Sequence, residues 1–207
     1  MKKIIFGLIF IGILFTSFKI FDKIKTDNSD EISVINNSSK DKLDSQIKEI
    51  KKVIQGNPKY NKEIAFFIDM KIPSGKNRFF VYDLKKDITI DQGLVAHGSG
   101  SETGIKGKLK FSNTNNSLAT SLGKYYISNS YIGRFGKAYK LYGLDKTNSN
   151  AFDRAIVLHK YFDVPYEEQT EYICNSYGCP MVNEKYFKRI EKIIDNSKTN
   201  ILLVIYF

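Results

Sequence analysis

Residues Ala155–Val182 read AIVLHKYFDVPYEEQTEYICNSYGCPMV. The stretch opens on an apolar run, Ala155-Ile156-Val157-Leu158, and ends that run in His159. Consecutive β-branched and aliphatic residues of this kind predict a core strand. A histidine at the end of such a strand is held by rigid backbone and can still face a cleft. Seventeen residues on, Ser176-Tyr177-Gly178-Cys179-Pro180 has the composition of a turn. Gly178 removes a side chain beside the sulfur, so substrate and backbone N–H groups can come close. Pro180 biases Cys179 away from the helical region. A thiol, an imidazole and a glycine-flanked turn are the parts of a cysteine acyl-transfer site.

The rest of the chain sets the frame for this stretch. Its 207 residues leave room for one ordinary domain and an N-terminal extension. The apolar fraction of 42% excludes a disordered chain. The net charge of +10 suits an anionic partner such as a membrane surface or a polyanionic envelope, although a lysine-rich soluble surface explains it as well. The lysines are scattered and no nucleic-acid motif accompanies them, so no nucleic-acid partner is expected. The two cysteines are too few for a disulfide scaffold.

Met1-Lys2-Lys3 precedes an apolar run from Ile4 to Phe18, and Lys19 follows. That is the form of a secretory signal or of an uncleaved membrane anchor, assigned to residues 1–25. A tether rich in Asn, Ser and Asp follows it. Leu43, Ile47, Ile50 and Ile54 mark one face of an amphipathic helix packed on the domain, and Gly56 and Pro58 stop it. Tether and helix together take residues 26–60, and the catalytic domain takes 61–207.

From Ile64 the pattern is that of strands. Short β-rich runs include Ala65–Asp69, Arg78–Asp83, Ile88–Ile90, Gly93–Ala96 and Lys124–Ile127. Tyr131–Gly136 and Lys140–Leu144 suggest a hairpin, Glu171-Tyr172-Ile173 a further strand, and Ile201–Tyr206 a final one. Asn183 is placed to cap a helix whose buried face is Phe187, Ile190 and Ile194. Many short strands and few helices predict a mostly β fold with a few peripheral helices.

Cys179 is the sharpest chemical candidate. A lone cysteine is most often a small buried apolar residue, but turn residues surround this one. An adjacent imidazole could take its proton and leave a thiolate–imidazolium pair. The N–H groups of Gly178 and Cys179, with that of Tyr177 beside them, would face the oxyanion that forms on attack. His159 is the expected general base. His97, in a glycine-flanked turn, competes for that role or lines the substrate cleft. Arg154 could hold a carboxylate in two bonds, or serve only at the end of a turn. Cys174 is expected to be a structural thiol, with an inhibitory disulfide to Cys179 as the alternative. No metal-ligand spacing or phosphate-binding glycine loop is present, so neither metal nor cofactor is expected.

The ordered set of blocks resembles the bacterial murein L,D-transpeptidase catalytic family, of YkuD-like fold. The matching blocks include Ser74–Leu84, Val95-Ala96-His97-Gly98, Phe111-Ser112-Asn113, Ser121-Leu122-Gly123, Arg154–His159 and Ser176–Pro180. They run in order over about residues 64–207. The resemblance implies a β-sandwich acting in the cell envelope on peptidoglycan stem peptides. Cysteine would attack the carbonyl of the third stem residue, D-alanine would leave, and an amine would resolve the thioester. Cys179, His159, Gly178 and Ser176 carry over. Two positions depart from the commonest pattern: Tyr177 stands where a histidine often precedes Gly-Cys, and Met181 where an arginine or asparagine often follows. The residues expected to touch substrate are therefore His97, Ser176, Tyr177 and Arg154, with Arg134 and Asn183 as further candidates for its carboxylate.

The expected protein is an exported, monomeric L,D-transpeptidase, periplasmic or held in the envelope through the membrane by its N-terminal segment. Two alternatives remain open at this point. One is an L,D-carboxypeptidase using water at the same site. The other is a wall-binding protein inactivated by a Cys174–Cys179 disulfide.

Overall fold

The computed structural model describes residues 39–207. The expected signal or anchor at 1–25 and the tether up to residue 38 lie outside them. The chain divides into units Met1–Lys42 and Leu43–Phe207. Of the first, only residues 39–42, which are helical, are described. The second begins with helix α1, which runs to residue 55.

Nine strands follow in one continuous sheet: β1 (Tyr60–Asp69), β2 (Phe79–Asp83), β3 (Ile88–Gly93), β4 (Val95–Ala96), β5 (Gly123–Gly133), β6 (Gly136–Gly143), β7 (Val157–Lys160), β8 (Met181–Val182) and β9 (Asn200–Tyr206). Helix α2 (Glu184–Asp195) lies between β8 and β9 in sequence. The spatial order is β3-β2-β1-β9-β5-β6-β7-β8-β4. The mostly β architecture expected from the sequence is observed.

The strand order explains the apolar run at Ile201–Tyr206. β9 is central, parallel to β1 and antiparallel to β5. Its residues from Ile201 on are buried on both faces, so the run shows no apolar–polar alternation. At the edge, Ile88 and Ile90 of β3 are exposed.

β3 and β4 form opposite edges of the sheet, yet only Leu94 separates them in sequence. Consecutive Cα atoms are about 3.8 Å apart. The sheet must therefore curl until its two edges meet at Leu94. The expected sandwich layers are thus the two halves of one curled sheet. Arg78 fastens the seam: its backbone N–H donates to Gly93 O at 3.2 Å, and its Nε and Nη2 donate to Val95 O at 2.9 and 2.7 Å.

Both faces of the sheet are packed. On the inner face, Phe66 and Ile68 of β1 join Phe79, Leu158 and the α2 residues Tyr186, Phe187 and Ile190. On the outer face, Ala65 and Phe67 of the same strand meet Ile47, Ile50 and Ile54 of α1. The period-two alternation of β1 thus divides it between two cores. Each buried isoleucine of α1 contributes about 1.5–3 kcal/mol, enough to dock the helix as its periodicity predicted.

Three local details differ from or extend the reading of the sequence. The runs at 124–127 and 131–133 are one strand, β5. Its hairpin with β6 turns on Arg134 and Phe135. Glu171-Tyr172-Ile173 is not a strand. The neighbouring backbone is pinned to the turn at 74–75 instead: Gln169 N–H donates to Gly75 O at 2.9 Å and Ile173 N–H to Ser74 Oγ at 3.1 Å. β-Propensity there is overridden because turn groups already take the donors. Asn183 caps α2 as expected, its side chain accepting from Lys185 N–H at 2.8 Å.

Candidate active site

β7 runs between β6 and β8 and carries His159 one residue from its end. Val157 and His159 are two residues apart and share a face of the strand, while Leu158 turns into the core. The cysteine turn is registered on this strand: His159 N–H donates to Pro180 O at 3.3 Å, and His159 pairs with Met181. The backbone of the expected base is therefore tied to the residue that follows the expected nucleophile.

The Cys179 thiol is half-buried over the start of β7. Its Sγ accepts from Val157 N–H at 3.4 Å and donates to Ala155 O at 3.7 Å. Ala155 adopts a left-handed φ of 53°, an uncommon conformation for a residue with a side chain. Burial pushes the Cys179 pKa up; the Val157 N–H and the positive charge of Arg154 oppose it. The thiol is therefore protonated at neutral pH in the resting protein.

His159 is buried, and Phe135 from the β5–β6 turn stacks on its ring with centroids 5.3 Å apart and 15° between planes. Its Nδ1 lies 3.0 Å from Lys160 O. A carbonyl can only accept, so Nδ1 carries the proton and Nε2 is the basic nitrogen. Burial lowers the pKa of the ring, against the Lys160 carbonyl, which favours the charged form. Burial thus disfavours the charged form of both nucleophile and candidate base.

The turn requires its glycine. Gly178 has a φ of +117°, and a Cβ there would lie 3.0 Å from Ala119 O. Ser176 is buried, and its Oγ accepts from Gly178 N–H at 3.0 Å. The Gly178 N–H, expected to face an oxyanion, is thus engaged within the turn. Among the described residues no acceptor meets the N–H of Tyr177 or of Cys179. The Tyr177 side chain is 79% exposed at the rim.

Arg154 is placed beside this turn, within 3.3 Å of where a Gly178 Cβ would stand. Its guanidinium donates to Ser112 O at 2.7 Å, Ser117 Oγ at 3.2 Å and Ala119 O at 2.6 Å. It braces the 112–119 loop against the cysteine turn, and its charge bears on the thiol. Asn183 Nδ2 is taken by Val164 O at 2.7 Å. Arg134 lies over the Phe135 ring.

His97 is brought to the same turn by its backbone: Ser176 N–H donates to His97 O and Ser99 N–H to Ser176 O, both at 2.8 Å. Its side chain points elsewhere. Nδ1 accepts from Arg78 Nη2 at 2.8 Å, which leaves Nε2–H to donate to Glu102 at 2.7 Å. With both nitrogens engaged, His97 is a poorer base than His159. The sequence reading missed Arg78 and Glu102. The one available signal was a lone arginine opening a strand, which is too common to be read as a site.

Cys174 and Cys179 are both free thiols. Cys174 packs against the cluster of Leu94, Ala96, Val164, Ile173 and Met181, in keeping with a structural thiol. Among the described residues no His, Cys, Asp and Glu group is arranged to hold a metal ion, and no helix is long and apolar enough to cross a membrane.

Comparison with known proteins adds the following. The family model described as "L,D-transpeptidase catalytic domain" matches residues 35–206. No curated protein matches the chain. Among solved structures, the Ldtfm–avibactam carbamoyl enzyme is similar at 9% identity and a TM-score of 0.44, over 71% of this chain and 50% of that one. The helical cell shape determining protein Pgp2 from Campylobacter jejuni is similar at 9% identity and a TM-score of 0.46, over 69% and 46%. An L,D-transpeptidase from Xylanimonas cellulosilytica is similar at 13% identity and a TM-score of 0.37, over 70% and 60%. The chain thus spans about half the length of the first two solved chains that it matches.

Proposed function

Because the chain belongs to the L,D-transpeptidase catalytic-domain family, we propose that it is a peptidoglycan L,D-transpeptidase with Cys179 as nucleophile and His159 as general base. Nε2 of His159 takes the thiol proton as the sulfur attacks the carbonyl of the third residue of a tetrapeptide stem. The C–N bond to the terminal D-alanine breaks, its amine takes the proton back, and a thioester remains on Sγ. An amine from a second stem then attacks that thioester, and the thiol is restored. The N–H groups of Cys179 and Tyr177 are suited to the oxyanion formed in each half-reaction. Work on this substrate places the protein outside the inner membrane, with the N-terminal apolar segment as its export signal or anchor.

The observation that carries this reading is the placement of the half-buried Cys179 sulfur against Val157 N–H, on the strand that carries His159 two residues on. Lys160 O fixes the basic nitrogen of that ring as Nε2. The test is incubation of the protein with a disaccharide-tetrapeptide, followed by mass spectrometry. Cross-linked dimers with loss of D-alanine are expected. Loss of D-alanine alone would show water to be the acceptor, and no reaction at all would overturn the proposal.

A further inference from the structure

A cavity of about 510 Å³ lies between segments 70–78, 102–109 and 170–172, and Cys179 is not among its lining residues. Its volume falls in the range of about 300–1,000 Å³ typical of ligand sites. One wall is a loop closed by the Glu102–Leu109 bridge and carrying Lys106 and Lys108. Another is Arg78, whose side chain is fully buried.

A buried guanidinium is normally matched by a carboxylate. Among the described residues no carboxylate hydrogen bond to Arg78 is seen, and Asp69 and Glu102 act on it electrostatically. Its four hydrogen bonds go to Val95 O twice, Ile72 O and His97 Nδ1, all neutral acceptors. An arginine has five N–H donors, so one on Nη1 has no acceptor among the described residues. Asp69 and Glu102 favour its charge from a distance, yet burial still pulls its pKa down to about 9. Lys106 and Lys108 make no ion pair among the described residues, whereas Glu102 is held by His97. The lining carries Lys71, Lys76, Arg78, Lys106 and Lys108 against Glu102 and Glu171, an excess of positive charge between apolar walls that include Met70, Ile72 and Leu109.

We infer that this cavity is a binding site for a carboxylate-bearing peptide, its carboxylate meeting Lys106 and Lys108 with the Arg78 charge behind them, and its aliphatic parts the apolar walls. For the identity of the peptide this rests on the proposed function: the occupant is a peptidoglycan stem. The site is joined to the cysteine turn through Glu102, His97 and Ser176, by the bonds given above, so an occupant is held beside the reacting centre and outside it.

The test is calorimetric titration of the full chain, carrying Cys179→Ala to prevent turnover, with tetrapeptide stem, with the same peptide amidated at its carboxylates, and with inorganic phosphate. The acid form is expected to bind at least about tenfold more tightly than the amide, the gain that one buried charge-assisted contact supplies. The double variant Lys106→Glu/Lys108→Glu is expected to lose that preference, while Lys188→Glu on α2, with half the charge change and outside the cavity, keeps it. Equal binding of acid and amide, an unchanged preference in the double variant, or phosphate binding as tight as the peptide would each overturn the inference. The binding is read without turnover. A parent protein that fails to cross-link stems would therefore sink the proposed reaction and leave this result to be judged separately.

Discussion

Gly98 and Gly178 meet backbone to backbone: a Cβ on Gly98 would stand 2.8 Å from Gly178 Cα and 2.2 Å from Leu118 O. The segment after β4 that carries His97 and the turn that carries Cys179 are thus in contact through two missing side chains. Neither neighbouring atom is the end of a flexible side chain, so Gly98→Ala must displace the cysteine turn. Overpacking of this kind costs about 1–3 kcal/mol. The expected outcome is a melting temperature lower by roughly 2–10 °C and loss of most activity. An unshifted melting curve with full activity would contradict the geometry.

Cys179→Ala is expected to abolish cross-linking and D-alanine release together, since both pass through one thioester. Cys174→Ala removes a half-buried sulfur from the Leu94–Met181 cluster and is expected to retain activity. Mass spectrometry of the two variants with a disaccharide-tetrapeptide separates the roles.

The resting thiol is expected to react slowly with iodoacetamide at pH 7, with the rate climbing into the alkaline range, because burial holds its pKa above the ordinary value. A thiolate–imidazolium pair would give a fast plateau at neutral pH instead. Arg154 favours the thiolate, so Arg154→Gln should move the alkylation curve to still higher pH and slow labelling at pH 7 by about three- to tenfold.

Phe135 is expected to set the acid limb of the activity profile. Its ring covers His159, and the pKa of His159 is lowered chiefly by burial. Phe135→Ala admits water, raises that pKa toward its usual value of about 6.5, and moves the acid limb to higher pH. Phe135→Tyr keeps the stack and should leave the limb in place.

Stability should fall in acid. The chain has two histidines, and both have lowered pKa values by burial, His97 also through the Arg78 charge. The unfolded state therefore binds more protons below about pH 6.5, and stability rises with pH there. The contribution is complete above the unfolded value and is lost as pH falls toward the folded ones. Chemical denaturation at pH 5 and pH 7.5 checks the sign. His97→Gln, which can still accept from Arg78, should reduce the slope.

Much of the fold was legible because its elements carry local signals: the α1 stripe, the Asn183 cap, the β-rich run at Ala65–Asp69. The cysteine turn was legible because Gly178 and Pro180 mark backbone chemistry directly. What could not be read was pairing. Nothing in Ile201–Tyr206 says that it lies between β1 and β5, since a strand buried on both faces looks the same in any central position. The Arg78–His97–Glu102 chain was hidden for a related reason. Those residues meet only when the sheet curls, and each alone resembles a surface residue. The effect of burial on the Cys179 thiol was likewise hidden, because desolvation depends on packing that spacing does not reveal.

The central place of β9 sets an order of events on the way to the native state. Until residues 200–206 are inserted, β1–β2–β3 and β5–β6–β7–β8–β4 have no strand between them. The two groups are then joined at the Leu94 corner alone, where β3 runs into β4. Closing the curled sheet on its other side therefore waits for β9 to pair with both β1 and β5.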